Sequence, residues 1–323
     1  MTPFSLVFLP PKSQATLLLA TQLAADVAEV SITVANDDAA ALTSIADADA
    51  AYGLPSAEVL LHAPRLRWLQ LPFAAPPPTV FTTELIEHPV VVTNMRGTYT
   101  TQVATHAVAL LLALARRLPN YVRYQLKHEW VPTYDQASYL DLSEATVLLV
   151  GLGAVGSEIA HLLAPFGTTL LATDARQTVA PTEIAELHQP GALDALLPRV
   201  DAVVVSVPHT TSTEGLFAAE RFDRMKPGTL FVNVGRGPVV DADDLVAALS
   251  LGTVRGAALD VFPEEPLPHD HALWDTVGAL VTPHVGIAGR DVDRERYRVL
   301  VENARRFRDG ETLVNVIDKI ERF

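Results

Sequence analysis

The stretch that decides the fold is Val147–Gly156, which reads VLLVGLGAVG. Four apolar residues of strand length run directly into three glycines spaced G-x-G-x-x-G, and the apolar residues Ile159, Leu162 and Leu163 follow at helical spacing. A strand, a glycine-rich turn and a helix in this order are typical of the first unit of a doubly wound parallel sheet. The sequence therefore predicts an α/β domain that starts at Thr146.

The glycine-rich turn has the features of a dinucleotide-binding site. Gly151 permits the tight turn, Gly153 leaves room for a pyrophosphate, and Gly156 lets the helix pack close to the sheet. The first turn of the helix, with Ala154 and Val155, offers free N–H groups and the positive end of the helix dipole to phosphates. We predict that all five residues bind the cofactor.

The residues after the next strand bear on which dinucleotide is bound. Asp174 ends that strand 18 residues after Gly156 (174 − 156), near the ~20 expected for an acid that binds the adenosine ribose hydroxyls. Its carboxylate would repel a 2′-phosphate and so favours NAD. Arg176 is the kind of group that tolerates NADP, which stays an alternative.

Polar residues follow the remaining strands of this domain. The expected strands are near-continuous apolar runs, as in a parallel sheet covered on both faces: 147–150, 169–173, 202–207, 229–234, 256–259 and 279–282. Ligands of such sheets bind beyond the carboxyl ends of the strands. His209, Arg236, Asp260, Glu265 and His284 all follow strands in this way. The sequence thus predicts a base, a carboxylate and a guanidinium at one edge of the sheet.

A second α/β unit is predicted from the first 98 residues, where short apolar runs (4–9, 30–34, 50–54, 66–71 and 90–93) alternate with Ala-rich segments (16–27 and 39–45). The segment 74–78, AAPPP, predicts a stiff loop.

Two further helices are expected outside these units. A buried helix is expected from Thr100 to about Leu118, where Pro119-Asn120 stops it. This helix either joins two domains or lies in a dimer interface. A polar helix is expected from about Asp291 to Arg308, with Gly310 as its C-cap.

These observations give two α/β domains with Rossmann-like or flavodoxin-like parallel sheets and a cleft between them. The predicted substrate domain is 1–98 plus 291–323, and the predicted dinucleotide-binding domain is 99–290. The hinge is expected near 98–101 and 286–291, where it would let the cleft close and exclude water.

The amino-acid composition limits the kinds of molecule that the protein can be expected to bind. The chain of 323 residues carries 38 acidic and 24 basic residues, a formal net charge of −14, which argues against nucleic acid and against an anionic membrane surface. It has no cysteine, which excludes disulfides and thiolate metal sites and suits a reducing compartment. The longest apolar run, Val103–Ala115, is shorter than the ~20 residues of a membrane span. We expect a soluble, cytoplasmic protein with no metal site.

Four motifs resemble those of the D-isomer-specific 2-hydroxyacid dehydrogenases, including their glyoxylate/hydroxypyruvate reductase-like members. They are GLGAVG at 151–156, NVGRG at 233–237, ALDVFPEEPL at 258–267 and TPHVG at 282–286. Asn94–Gly97 and the helix of His106 are also similar to the family's pattern, so the resemblance covers residues from about 60 to 318. It implies transfer of a hydride between NAD(P)H and a small 2-oxo acid, which gives the D-2-hydroxy acid, and it implies a homodimer.

The resemblance also implies roles for individual residues. Arg236 would bind the substrate carboxylate and polarise the oxo group, His284 would be the general acid–base, and Glu265 would pair with it. Ala74 and Ala75 stand where the family's substrate loop lies and would contact the substrate together with Arg236 and His284. Further cofactor contacts would come from residues after the strands: Val207, Pro208, His209, Thr213, Val234, Gly235, Asp260 and His284.

Physical chemistry supports the three catalytic assignments independently. Hydride delivery builds negative charge on the substrate oxygen, which an imidazolium and a guanidinium stabilise. A carboxylate beside the histidine favours the imidazolium and fixes the ring. The resemblance implies that Asp260 lies beside the nicotinamide carboxamide, and a structural cap is the alternative. His106 is expected to be a satisfied core histidine.

Two alternatives to a 2-hydroxyacid dehydrogenase stay open. One is a dinucleotide-sensing binding protein similar to the C-terminal-binding-protein corepressors, and the other is a phosphite-type dehydrogenase of the same fold. Formate-type members place Gln near the position of Glu265, so the glutamate argues against formate.

Overall fold

The computed structural model describes residues 2–74, 76–290 and 292–321. The chain divides into two compact units, one formed by the residues up to Tyr99 together with those from Gly289 onward, and the other by Thr100–Ala288. The sequence places the boundaries at 98/99 and 290/291, one and two residues away from these positions.

The first unit is built on a five-stranded sheet whose strands are β1 (Phe4–Phe8), β2 (Val30–Val34), β3 (Ala50–Tyr52), β4 (Trp68–Gln70) and β5 (Val91–Thr93). Its helices before residue 100 are α1 (Gln14–Asp26), α2 (Asp38–Ile45), α3 (Ala57–Leu61) and α4 (Thr83–Glu87). The strand order β2-β1-β3-β4-β5 is parallel throughout and is the flavodoxin-like order.

The second unit contains a seven-stranded parallel sheet formed by β6 (Thr146–Val150), β7 (Thr169–Thr173), β8 (Glu186–His188), β9 (Ala202–Val205), β10 (Thr229–Asn233), β11 (Val254–Leu259) and β12 (Ala279–Val281). Its helices are α5 (Thr100–Ala115), α6 (Leu118–Leu126), α7 (Ala154–Leu163), α8 (Leu193–Leu196), α9 (Ala219–Asp223) and α10 (Ala242–Leu251). Helix α11 (Val292–Asp309) returns to the first unit.

The order of the larger sheet, β12-β11-β10-β9-β6-β7-β8, is that of a doubly wound fold. The chain reverses direction along the sheet between β6 and β9, and this switch point is where such sheets bind ligands, beyond the carboxyl ends of the strands. Apolar side chains from α5 and α7 cover one face, and those from α8, α9 and α10 cover the other. The predicted α/β class with two parallel sheets is confirmed.

Two details of the sequence prediction are wrong. Pro119 does not stop a helix: α5 ends at Ala115, Arg117 has a left-handed φ of 56°, and Pro119 lies in the first turn of α6. The first turn tolerates proline because its N–H groups have no partner within the helix. Strand β8 was not predicted because its three residues, Glu-Leu-His, are only half-buried at the edge of the sheet.

Among the described residues, no helix combines the length and the apolar character needed to cross a bilayer.

Candidate active site

The glycine-rich turn between β6 and α7 leaves space where the sequence predicts a pyrophosphate. Gly151 has a φ of 95°, which a residue with a side chain adopts only with strain. A Cβ on Gly156 would lie 2.1 Å from the carbonyl oxygen of Gly151, so the helix can approach the turn only with glycine there. A Cβ on Gly153, in contrast, would meet nothing within 4 Å. The turn therefore fits a dinucleotide, because the open space lies at the N-terminus of a helix.

Asp174 organises the turn on which it lies. Its Oδ2 accepts a hydrogen bond from Leu152 N (2.7 Å), and its Oδ1 accepts from the backbone N–H groups of Arg176 and Gln177 (2.8 Å each). Burial raises the pKa of Asp174, but the three backbone donors outweigh it and hold the pKa below its ordinary value. The side chain is therefore a carboxylate at neutral pH, at the carboxyl end of β7, while Arg176 is exposed beside it.

The loop after β9 closes on itself through Thr213. The Thr213 hydroxyl donates to the carbonyl oxygen of Pro208 (2.6 Å) and accepts from Thr210 N (2.8 Å). Both hydrogen bonds lie within the loop and stabilise its conformation. His209 Nε2 lies 3.8 Å from Glu214 Oε2. The backbone of Val207 passes so close to Gly235 that a Cβ there would lie 2.6 Å from the Val207 oxygen. The predicted cofactor loops of β9 and β10, the latter with Val234, are thus adjacent.

Asn233 fixes the turn that carries Arg236. It is fully buried at the end of β10, its Oδ1 accepts from Gly235 N (3.0 Å), and its Nδ2 donates to the carbonyl oxygen of Arg236 (3.2 Å). Arg236 itself is half-buried and donates from Nη1 to the Gly235 carbonyl (2.6 Å). Asn233 was not predicted as a site residue, although a polar residue at the end of an apolar strand run was the available signal.

Gly237 brings the arginine turn against the loop after β11. A Cβ on Gly237 would lie 1.8 Å from the carbonyl carbon of Phe262 and 1.9 Å from its oxygen. Phe262 N in turn donates to Glu265 Oε1 (2.9 Å). Backbone contact at Gly237 therefore sets the position of Arg236 relative to Glu265, two residues that are predicted to act together.

His284 and Glu265 form a hydrogen-bonded pair. Nδ1 of the ring lies 2.7 Å from Glu265 Oε2, and the two side chains are 41% and 35% exposed. Because the other carboxylate oxygen is held by Phe262 N, Glu265 has a fixed orientation. His284 has a φ of 52°, in the left-handed region that costs energy for a residue with a side chain. The ring's Nε2 is then the nitrogen available to a substrate.

Asp260 caps the loop that carries His284. Its carboxylate accepts from Val285 N (3.0 Å) and Gly286 N (2.8 Å), and its carbonyl oxygen accepts from His284 N (2.9 Å). These contacts are those of a structural cap, while the contact with the nicotinamide carboxamide stays a prediction. His106, expected in the core, is half-buried: its Nε2 lies 3.0 Å from Thr282 Oγ1 and 3.3 Å from Asp260 Oδ1.

The predicted substrate loop lies in the first unit and follows β4. The N–H of Ala74 donates to the Tyr99 hydroxyl (3.2 Å), and its carbonyl oxygen accepts from Asn94 Nδ2 (2.8 Å). Both backbone groups of Ala74 are therefore engaged within the unit. Ala75, the second predicted residue of the loop, lies outside the described residues.

The second unit thus combines an open glycine turn at a sheet switch point with an acid–base pair and an arginine, which defines a dinucleotide-dependent oxidoreductase. Residues 108–286 match the family model described as D-isomer specific 2-hydroxyacid dehydrogenase, NAD binding domain. The chain belongs to the D-isomer specific 2-hydroxyacid dehydrogenase family, and its cofactor is NAD(P).

Individual relatives agree with this assignment. Glyoxylate/hydroxypyruvate reductase B of Pectobacterium carotovorum subsp. carotovorum (strain PC1) is 33% identical over 263 residues, which cover 81% of this chain and 82% of that protein. Glyoxylate reductase of Korarchaeum cryptofilum (strain OPF8) is 32% identical over 266 residues, 81% of this chain and 79% of that protein. A D-isomer specific 2-hydroxyacid dehydrogenase from Xanthobacter autotrophicus Py2, solved in complex with NADPH and MES, superposes with a TM-score of 0.85 at 28% identity and covers 99% of this chain and 100% of that one.

Proposed function

We propose that the protein reduces a small 2-oxo acid to its D-2-hydroxy acid, with NADH or NADPH as the source of hydride. The observation that carries the proposal is the 2.7 Å contact between His284 Nδ1 and Glu265 Oε2, in the same unit as the glycine turn. A histidine held by a carboxylate is a competent proton donor to an oxygen that gains negative charge.

His284 supplies the proton in the proposed reaction. Glu265 accepts the Nδ1–H bond, which fixes the ring and directs the Nε2–H away from the carboxylate. Gly151–Gly156 and Asp174 would hold the dinucleotide, which would supply the hydride when bound. As the carbonyl carbon is reduced, its oxygen takes the Nε2 proton, and the histidine is left neutral. The reverse reaction uses the same ring as a base.

Arg236 is the proposed anchor for the substrate carboxylate. A guanidinium presents a planar fork that binds two carboxylate oxygens at once. Its place beside Gly235, held by Asn233 and by the close backbone contact at Gly237, supports a fixed position for this fork. A fixed cation close to the reacting oxygen also stabilises the developing charge without reorganisation.

The substrate class is proposed from the relatives, whose names refer to glyoxylate and hydroxypyruvate. The test is oxidation of NADH and of NADPH with glyoxylate, hydroxypyruvate, pyruvate and longer 2-oxo acids. We expect turnover with at least one short 2-oxo acid, and a loss of about 100-fold or more in His284→Ala and in Arg236→Ala. Full activity in both variants would refute the site assignment.

The two alternatives are tested in the same assay. The names of the relatives favour a reductase over a corepressor-like sensor and over a phosphite-type enzyme. A sensor would bind NADH, seen as quenching of its fluorescence, without reducing any acid. A phosphite-type enzyme would reduce NAD⁺ in the presence of phosphite and would leave the 2-oxo acids unchanged.

We also propose a preference for NAD over NADP, a role for each domain and a cytoplasmic location. The Asp174 carboxylate supports NAD over NADP, since it would repel a 2′-phosphate, and Arg176 supports tolerance of NADP. Residues 99–290 would bind the dinucleotide, and residues 1–98 with 291–323 would bind the substrate. A cytoplasmic location rests on the expectation from composition, and cell fractionation tests it.

A homodimer is proposed through the surface of α6 and the segment after it. Large apolar side chains are exposed there: Leu126 is 77% exposed, Trp130 95% and Tyr134 87%. Leu118 and Val122 of the same helix line an apolar groove of about 310 Å³. A group of large apolar side chains exposed side by side is typical of an interface. Light scattering should give the mass of a dimer for the wild type and of a monomer for Trp130→Glu with Leu126→Glu; a monomeric wild type would refute the proposal.

A further inference from the structure

We infer that His106 is a positioning residue for the reaction: it braces Asp260 and Thr282, which hold the loop that carries His284. The inference rests on the proposed function, because it assigns a task to His106 in the proton transfer by His284. His106 lies on α5, 178 residues before His284 in the sequence (284 − 106), and its Nε2 lies 3.0 Å from Thr282 Oγ1, two residues before His284.

The backbone conformation of His284 is strained and has to be stabilised by contacts with other residues. Its φ of 52° lies in the left-handed region, which a histidine adopts only when its surroundings impose it. Asp260 imposes it by accepting three hydrogen bonds from this loop: its carbonyl oxygen accepts from His284 N, and its carboxylate accepts from Val285 N and Gly286 N. A Cβ on Gly286 would lie 2.8 Å from Asp260 Oδ2, so the loop and the carboxylate are in close contact. The position of the Asp260 carboxylate therefore decides the position of the His284 ring.

The Asp260 carboxylate is held by a second layer of contacts. It is almost fully buried, and Oδ1 accepts from the Thr282 hydroxyl at 2.7 Å. Because that hydroxyl donates its proton to Asp260, it can only accept from His106 Nε2, which lies 3.0 Å away. Nε2 also lies 3.3 Å from Asp260 Oδ1, so one N–H of His106 faces both oxygens. These distances assign the Nε2–H form to the ring.

His106 connects the loop of His284 to a separate helix, which the backbone contacts of Asp260 do not do. Val285, Gly286 and Thr282 all belong to the loop that has to be held, whereas His106 is anchored on a helix of a different part of the chain. Helix α5 packs against β10 and β11, the strands that deliver Arg236 and Asp260. The imidazole thus ties the loop of His284 to the body of the sheet. Without it, the loop and the carboxylate can shift together.

The test compares three variants on one helix. His106→Leu removes the donor, His106→Gln restores an N–H donor on a side chain of similar reach, and Thr105→Ala changes an exposed neighbour as a matched control. We expect kcat for 2-oxo acid reduction to fall by about 10-fold to 100-fold in His106→Leu, because a misplacement of ~1 Å costs about that much. The Gln variant should recover to within about 3-fold and the Thr105 variant should keep wild-type kcat, with the KM for NADH changed by less than about 2-fold throughout.

A spectroscopic measurement keeps the inference independent of turnover. In the apo protein, the ¹⁵N and ¹H resonances of the His284 ring report the Nδ1–H bond to Glu265. This signal should be retained in His106→Gln and broadened or shifted in His106→Leu. Retention of the wild-type signal and kcat in the Leu variant would overturn the inference. Equal losses of kcat and of melting temperature in the Leu and Gln variants would also overturn it.

The two proposals fail differently. If the wild-type protein reduces no 2-oxo acid, the proposed function is wrong, and the ring signal alone decides whether His106 positions His284. If the wild-type protein is active and His106→Leu is equally active, only the role of His106 is wrong.

Discussion

Substitution of Gly237 by alanine perturbs the contact that joins the Arg236 turn to the Glu265 loop. The added Cβ would lie 1.8 Å from the carbonyl carbon of Phe262 and 2.4 Å from Pro263 N. Carbon atoms in contact are about 3.5 Å apart, so one of the two backbones has to move by about 1.7 Å. Phe262 is buried, and overpacking of this kind costs about 1–3 kcal/mol of stability.

The loss of activity should exceed the loss of stability. A displacement of more than 1 Å between Arg236 and Glu265 predicts a fall in kcat/KM of about 100-fold or more for a short 2-oxo acid with NADH. Gly191→Ala is the matched control, because a Cβ there would meet nothing within 4 Å and should leave activity and melting temperature unchanged. Circular dichroism checks that each variant is folded. Folded Gly237→Ala with more than a third of wild-type kcat/KM would refute the argument.

Further predictions concern the cofactor, the core and the pH. Gly153→Ala should fold normally but raise the KM for NADH by about 10-fold or more, because the open space is where the pyrophosphate is expected; an unchanged KM would contradict this. Asp174→Ala should lower the KM for NADPH relative to that for NADH by about 10-fold, because the repelling carboxylate is lost. Since the pKa of Asp174 is held below its ordinary value, the ratio of the two KM values in the wild type should be constant from about pH 6 to 9. Asn303→Ala should lower the free energy of unfolding by about 2–5 kcal/mol in urea denaturation, because both backbone groups of Val314 lose a buried partner; a loss below about 1 kcal/mol would be contrary to that. Hydrogen bonds from Arg199 and then His188 lower the pKa of Glu186 to about 2 from 4.5, so the stability that Glu186 contributes is present above pH 4.5 and lost as the pH falls towards 2; a carboxyl NMR titration with a midpoint at 4.5 would be the contrary result.

Much of the fold could be predicted because its signals are local. The last four residues of each of the strands β6, β7, β9, β10 and β11 are buried and mostly apolar, so the sequence displays them as near-continuous apolar runs. The glycine turn is recognisable because strand, spacing and helix coincide in ten residues. Edge strand β8 has no such signal, since half-buried strands carry polar residues at the positions that would reveal them.

The sequence predicted the residues that would contact the substrate, but not the residues that hold them in position. Arg236, Glu265 and His284 stand in motifs at the ends of strands, where parallel sheets bind ligands. The residues that support them carry weaker signals: Asn233, in the same motif as Arg236, resembles the end of a strand, and His106, far away in the chain, resembles a helical core position. Spacing along the sequence gives no indication that His106 meets Thr282, because that contact depends on how a helix packs on the sheet. Pro119 shows the same limit, as one residue type can end a helix or begin the next.

The proposed reaction transfers a hydride from the nicotinamide to C2 of the 2-oxo acid. The most direct test incubates the protein with NADH that carries deuterium in both positions at C4 of the nicotinamide and with a prochiral 2-oxo acid such as pyruvate or hydroxypyruvate. Mass spectrometry and chiral separation of the product follow. We expect one deuterium at C2 of the D-2-hydroxy acid with the wild type and little or none with His284→Ala. Deuterium in the L-enantiomer, or no labelled 2-hydroxy acid from any 2-oxo acid, would contradict it.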